Sequence, residues 1–150
     1  MGHYIVQQDL QDKLGVTRLT QLTDPEGTGT ISASIVNDAI DAAEGKFEGY
    51  VRTRYTLPVP LTPLVKSLCV DLAVFNLYQD SSTVDDGVYK VRKDAMTEAV
   101  RTLEAIHSGR AALDVPAAAE TATSPGSANE VLRGSSQTPG IFTDDTLRGY

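Results

Sequence analysis

Residues 63–79 read PLVKSLCVDLAVFNLYQ, and apolar side chains occupy most of the surface that this stretch would have as a helix. A helix that is apolar around most of its circumference lies at the centre of a fold, or packs against both its own core and a partner subunit. Lys66 and Asp71 interrupt the run, which is shorter than the ~20 apolar residues that a membrane span needs. We therefore expect a buried helix over about 63–79 and no contact with a membrane.

The residues just before it, TLPVPLTP at 56–63, contain three prolines. Proline lacks a backbone N–H and pushes its predecessor toward an extended conformation, so an earlier helix must end before this segment. Pro63 suits the first turn of a helix, and Thr62 directly before it is a suitable N-cap. The segment predicts a stiff connection between two helices.

Apolar residues recur every three or four positions in three other stretches, as is typical of amphipathic helices. We expect helices over 6–14, from Ser32 or Ser34 as N-cap to about Arg54, and from about Asp86 to His107, with a brief helical turn at 17–22. No sustained alternation of apolar and polar residues predicts a strand. The predicted fold class is all-α, a small four-helix bundle-like domain.

The composition changes at about residue 115 to Ala, Thr, Ser, Pro and Gly, which bury too little surface to offset the entropy lost on ordering. We predict a helical domain over 1–114 and a C-terminal arm over 115–150 that orders on assembly. The arm ends in IFTDDTLRGY, where apolar and aromatic side chains return. The residues expected to bind a partner there are Ile141, Phe142, Leu147, Arg148 and Tyr150.

The formal net charge of -7 argues against a general nucleic-acid-binding protein, because phosphate binding needs clustered Lys and Arg. Cys69 is the single cysteine, so the chain cannot form an internal disulfide or a cysteine zinc cluster. Its place in the most apolar helix favours core packing over catalysis. Phosphate-binding glycine loops, nucleophile elbows and zinc motifs do not occur in the sequence, so we expect no enzymatic activity and no cofactor.

The stretch TDPEGTGTIS at 23–32 has oxygen-bearing residues at the alternate positions of a calcium-binding loop. The candidate ligands are Asp24, Glu26, Thr28 and Thr30. The position at which such a loop needs a bidentate glutamate is Ile35, which has no oxygen to offer. Two interpretations stay open: a weak or partner-completed cation site, and a tight turn in which Asp24 binds backbone N–H groups. The missing glutamate favours the turn.

Two further features concern charged residues. An acid within so apolar a helix needs a cation, and we expect Asp71 to form a structural pair with Arg52, Arg54 or Arg92 rather than to act in catalysis. The tetrapeptide RTRY at 52–55 places Arg52 and Arg54 beside Tyr55, a combination that can stack on nucleic acid or face an acidic partner.

The order of these pieces resembles a known family. The pieces are YIVQQDL at 4–10, QLTDPEGTGTIS at 21–32, GYVRTRYTLPV at 49–59, LCVDLAVFNLY at 68–78 and IHSGRAAL at 106–113. Together they resemble the Mu-like bacteriophage family of small head-tail connector proteins, over residues 4 to about 113. The closing IFTDDTLRGY resembles the end segment of many members, whereas Thr28 and Ser32 replace acids that members often carry in the turn.

This resemblance implies a structural role. A connector, also called an adaptor or head completion protein, is made in the host cytoplasm and forms a ring of about twelve copies in the virion, between the portal and the tail. The implied partners are further copies of the chain, the portal protein and a downstream neck or tail protein, with passive contact to DNA in the channel. The alternative is a small phage DNA-binding or packaging-accessory protein that uses residues 52–55.

Overall fold

The computed structural model describes residues 2–81 and 85–115. These residues form five α-helices: α1 (Gln7–Leu14), α2 (Val16–Thr23), α3 (Ala33–Val51), α4 (Pro63–Asp80) and α5 (Asp86–His107). They contain no β-strand, which confirms the predicted all-α class. The turn expected at 17–22 is a complete eight-residue helix, α2, which a single glycine, Gly15, separates from α1.

α4 is the central helix and contacts each of the other four. Its buried residues are Val65, Leu68, Cys69, Val70, Leu72, Ala73, Val74, Phe75, Leu77 and Tyr78. Asn76 Nδ2 donates to the Ala39 carbonyl at 3.3 Å, so the end of α4 lies beside the first half of α3 and the two helices run antiparallel. Because residues of the same chain cover most of α4, the predicted central helix is observed, and only Leu64 among its large apolar side chains is exposed in the described part of the chain.

The helix boundaries follow local signals in part. Thr62 Oγ1 accepts the Val65 N–H at 3.3 Å and Pro63 begins α4, which confirms both predictions. Ser32 takes the N-cap position of α3, but its side chain makes no capping hydrogen bond. The Ser32 N–H instead donates to Thr23 Oγ1 at 3.3 Å. A residue of α2 therefore fixes the entry to α3.

α3 ends at Val51, three residues before the predicted end at Arg54. Residues 52–54 form a turn, and this turn brings Tyr55 into the core, where 4% of its surface is exposed. Val59 in the proline-containing segment is also buried. The helix stops early because burial of these side chains requires the chain to change direction.

Large apolar side chains are exposed at a few places in the described part of the chain: Val6, Val16, Leu61, Leu64 and Val91. Leu61 and Leu64 flank the start of α4, and the other three lie on different elements. Isolated exposed side chains of this kind are normal on a folded surface. Among the described residues no helix has the length and hydropathy to cross a membrane.

Contacts within the chain place the five helices in one compact unit. The predicted arm over 115–150 lies outside the described residues except for Val115. The predicted boundary at 114 and the ordering of the arm on assembly stay predictions.

Candidate functional site

The turn at 24–32 is held together by its own first residue. The Asp24 carboxylate accepts the Thr28 N–H at 2.9 Å, the Thr28 hydroxyl at 3.1 Å and the Gly29 N–H. These donors hold the pKa of Asp24 below its usual value, and the Thr28 N–H has the largest effect. Gly27 and Gly29 have φ angles of 71° and 75°, which favour glycine. The oxygen expected as the first calcium ligand therefore organises the turn.

Two of the other candidate ligands lie beside Asp24, but their hydroxyl groups are used in hydrogen bonds within the turn. The Thr28 and Thr30 hydroxyls bond to each other at 2.9 Å, and Glu26 is exposed. Within the described residues no group of three or more His, Cys, Asp or Glu side chains could hold a metal ion. Of the two interpretations left open by the sequence, the geometry favours the turn.

The tetrapeptide at 52–55 does not form one continuous surface. Arg52 is exposed, whereas Tyr55 is buried and its hydroxyl accepts the Leu113 N–H at 2.9 Å. Arg54 Nη1 donates to the Ile106 carbonyl at 3.5 Å, at the end of α5. Tyr55 thus acts as a tether for the residues after α5, and any binding by this segment falls to the two arginines.

The fold places two further basic residues, which are distant in sequence, beside Arg52 and Arg54. His107 Nδ1 lies 3.1 Å from the Tyr50 carbonyl and 3.2 Å from Thr53 Oγ1, which ties the end of α5 to the end of α3. Arg110 follows in an exposed position. The basic end of the molecule, as defined here, consists of Arg52, Arg54, His107 and Arg110. Sequence reasoning found the first half of this set and missed the second, because helical patterns do not show which helix ends meet.

A groove opens at the other end of α3. Its volume is about 950 Å³, and its lining includes Arg18, Leu22, Pro25, Ile35, Asp80 and Ser81. It therefore lies where α2, the 24–32 turn, the first turn of α3 and the end of α4 meet. No sequence signal marks it, because its walls come from four separate segments.

Beside this groove two arginines contact a buried tyrosine, Tyr78. Arg18 Nε donates to the Tyr78 hydroxyl at 3.2 Å. The guanidinium carbons of Arg18 and Arg92 lie 5.3 and 5.6 Å from the centre of the Tyr78 ring, within the range of cation–π attraction. Arg92 is thus engaged with a ring and is not the partner of Asp71.

The predicted partner of Asp71 is wrong. Asp71 pairs with Lys13 of α1 at 3.3 Å and not with Arg52, Arg54 or Arg92. α1 packs along α4 in the same direction, since Asp9 pairs with Lys66 and Lys13 with Asp71, and this brings a residue from the beginning of the chain to this side of α4. Cys69 is fully buried, and burial raises the pKa of its thiol to about 12, which makes it unreactive.

A buried glutamate was not anticipated from the sequence. Glu44 of α3 is 8% exposed, and its carboxylate accepts the N–H groups of His3, Tyr4 and Ile5 at 2.7, 2.8 and 3.0 Å. The Tyr4 hydroxyl donates to Glu48 at 3.1 Å and accepts the Val59 N–H at 3.2 Å. Burial raises the pKa of Tyr4 to about 12. This cluster joins residues 3–5, α3 and the proline-containing segment, and its role is structural.

The predicted binding residues of the arm lie outside the described residues. They are Ile141, Phe142, Leu147, Arg148 and Tyr150. Their role stays a prediction, as does that of Arg52 and Arg54.

Comparison with known proteins gives one family. The family model described as Bacteriophage Mu, Gp36 matches residues 4–131, which include all five helices and the turn at 24–32. No curated protein is significantly similar to the chain. The match indicates a phage protein of the structural or morphogenesis type. Since it covers well over half of the 150 residues, the chain belongs to the bacteriophage Mu Gp36 family.

Proposed function

We propose that this protein is a head-tail connector that forms a ring between the portal and the tail of a phage particle. The observation that carries the proposal is the family match over residues 4–131, together with the connector-like order of segments in the sequence. A function by binding is consistent with the described residues, among which Asp24, Cys69 and Glu44 have structural roles. The virion junction is the proposed location.

The shape of the core limits how such a ring can be built. Because the middle of α4 is covered by its own chain, contacts between copies must use the exposed faces and ends of the helices, or the arm. Each subunit is therefore expected to fold before it assembles. The portal protein, a downstream neck or tail protein and DNA in the channel are the proposed neighbours of the ring.

The test is location and loss of function in the phage that encodes the chain. Deleting the gene should give DNA-filled heads and free tails, and supplying the wild-type chain should restore tailed particles. Electron microscopy of particles that carry an epitope-tagged chain should show the label at the head-tail junction. Tailed infectious particles from the deletion strain, or a label elsewhere on the particle, would contradict the proposal.

The arm is tested separately. Replacing both Phe142 and Tyr150 with Ala should leave the thermal unfolding of the helical domain unchanged and reduce phage titre, because these side chains are the proposed anchors. Val131→Ala is the matched control in the same arm and should retain titre. Equal titres for the two variants would remove the arm from the proposed mechanism.

The second candidate is a DNA-binding or packaging-accessory protein, and the exposure of Arg52 and Arg110 at one end favours it. Phosphate contacts weaken steeply as salt increases, so a gel shift that is lost between about 50 and 200 mM salt would support it. Burial of Tyr55 removes the base stacking that the sequence had suggested. Retained binding in the Arg52→Ala, Arg110→Ala variant would exclude this surface.

A further inference from the structure

The charges of the described residues are divided between two ends of the molecule. The basic end lies just beyond the C-termini of α3 and α5, which the contacts of His107 hold together. At the opposite end, the 24–32 turn, the last residue of α4 and the start of α5 carry acids. The acidic end, as defined here, consists of Asp24, Glu26, Asp80, Asp85 and Asp86. All except Asp24 are exposed.

The two ends lie on opposite sides of the fold. Ile35, in the first turn of α3, lines the groove together with Asp80, and Arg52 follows the last residue of α3. The 19 residues of α3 span about 28 Å at the ordinary helical rise. α5 runs in the same direction, because Tyr89 near its start contacts Phe75 of α4 at a ring-centre distance of 5.9 Å.

Helix dipoles account for only part of this separation. Acids at the start of α5 and arginines at the end of α3 complement the partial charges of those helix ends. Glu26, however, lies in a turn, and Asp80 ends α4, where a helix dipole disfavours an acid. Arg18, Lys90 and Lys93 near the acidic end, and Glu104 and Asp114 near the basic end, reduce each net charge without reversing its sign.

The charges at the two ends are not neutralised within the described part of the chain. The ion pairs there are Lys13–Asp71, Lys66–Asp9 and Arg101–Glu98, and none of them uses a residue of either end. The groove at the acidic end also has an apolar lining, to which Leu22, Pro25 and Ile35 contribute. An arginine can lie with its methylene groups on such a lining and its guanidinium on a carboxylate at the rim.

We infer that copies of this chain associate head to tail, with Arg52, Arg54 and Arg110 of one copy facing the groove and the acids of the acidic end of the next copy. Two different surfaces meet in such a contact, so repetition produces a ring if the rotation between copies closes, and a filament if it does not. This would be the contact between subunits of the proposed ring, and its closure into a ring rests on the proposed function. The pairwise contact itself can be measured without the phage.

Two single-cysteine variants report the polarity of the contact. Gln79→Cys lies beside the acidic end and Ala112→Cys beside the basic end, and both positions are exposed. Cys69 is buried and does not compete for a thiol reagent. With a short bis-maleimide at low salt, an equimolar mixture of the full-length variants should give mixed dimers about tenfold faster than either variant alone. The difference should vanish in 1 M salt, where the Debye length is about 3 Å.

Charge reversal then tests the residues. The first variant carries Arg52→Glu and Arg110→Glu in the Ala112→Cys chain, and it should no longer cross-link to a Gln79→Cys chain whose acidic end is unchanged. The second carries Asp80→Lys and Asp86→Lys in the Gln79→Cys chain, and it should no longer cross-link to an Ala112→Cys chain whose basic end is unchanged. Pairing the two reversed surfaces with each other should restore cross-linking. Lys46→Glu, an exposed reversal within α3, is the matched control and should have no effect. Thermal unfolding of each variant verifies that it folds.

Other outcomes would overturn the inference. These are equal rates for mixed and single samples, cross-linking that does not respond to salt, no mixed dimer at millimolar protein, or equal loss in the Lys46→Glu control. Failure here, with the tagged chain still found at the head-tail junction, would refute this contact and leave the proposed function standing. If the mixed dimers form faster as expected but the tagged chain lies elsewhere in the particle, the head-to-tail contact stands and the proposed function is refuted.

Discussion

Glu44 Oε1 lies 2.8 Å from the backbone nitrogen of Tyr4, 40 positions earlier in the chain. The same carboxylate also accepts the N–H groups of His3 and Ile5. A buried carboxylate loses its hydration, and charge-assisted hydrogen bonds from three consecutive N–H groups compensate that loss. One acid of α3 therefore fixes the segment before α1 to the core.

Replacing Glu44 with Ala should lower the free energy of unfolding by about 2–4 kcal/mol, because three N–H groups lose their acceptor in a place with little access to water. Urea unfolding followed by circular dichroism measures the change. Glu98→Ala is the control: this side chain is 72% exposed and pairs with Arg101 on the surface, so its loss should stay within about 0.5 kcal/mol. Similar losses for the two variants would show that the Glu44 contacts do not stabilise the fold.

Replacing Tyr4 with Phe should cost about 1–2 kcal/mol, because the buried Val59 N–H and the Glu48 carboxylate both lose a partner while the ring is retained. Tyr50→Phe is the control, since the Tyr50 hydroxyl makes no hydrogen bond to another described residue. The same urea experiment applies. A neutral Tyr4→Phe substitution would indicate that water replaces the hydroxyl at both partners.

Stability should decrease at alkaline pH because burial raises the pKa of two groups to about 12: Tyr4 from 10.0 and Cys69 from 9.0. Above the lower values the unfolded chain loses these protons while the folded chain keeps them, so the unfolded state becomes favoured. The contribution is complete below pH 9 and is lost as the pH rises toward 12. A Tyr4→Phe, Cys69→Ala variant should show a shallower decrease over this range in pH-dependent urea unfolding, and an unchanged slope would contradict the assignment.

Gly109→Ala should destabilise the protein by about 1 kcal/mol or more, because Gly109 has a φ of 81° and an added methyl group would overlap the Arg54 guanidinium. Gly45→Ala, in the middle of α3 with open space around it, should instead stabilise by about 0.5–1 kcal/mol through helix propensity. Melting temperatures measured side by side distinguish the two. Equal shifts would show that the Gly109 backbone relaxes freely.

Calcium should produce no heat of binding at micromolar concentration in calorimetry of the full-length protein. The Asp24 carboxylate is already occupied by the N–H groups of Thr28 and Gly29, and its lowered pKa reflects those donors. The turn should weaken as the pH falls below the usual Asp value of 3.8, because protonation removes the acceptor. A binding isotherm that Asp24→Ala abolishes would restore the cation-site interpretation.

The features that could be predicted from the sequence are those that depend on neighbouring residues. The apolar run of α4, the proline segment before it and the Thr62 cap each act within a few positions, so the pattern contains enough information to place them. The Asp24 turn was also predictable, because both the acceptor and its donors lie within five residues.

The remaining features depend on which helices meet. Asp71 pairs with Lys13 because α1 packs on α4, and the amphipathic pattern of either helix is compatible with other partners. Tyr55 looked like part of a surface patch, but the turn after α3 directs it into the core. The basic end combines residues 52–54 with residues 107–110, and only the packing of α3 beside α5 brings them together.

The enclosure of α4 affects how a particle could be put together in time. A subunit whose most apolar helix is already buried has little tendency to aggregate before it assembles. Newly made copies can therefore accumulate as a reserve. In the proposed ring, the start of assembly would then depend on the encounter of a subunit with its docking partner rather than on burial of an exposed core.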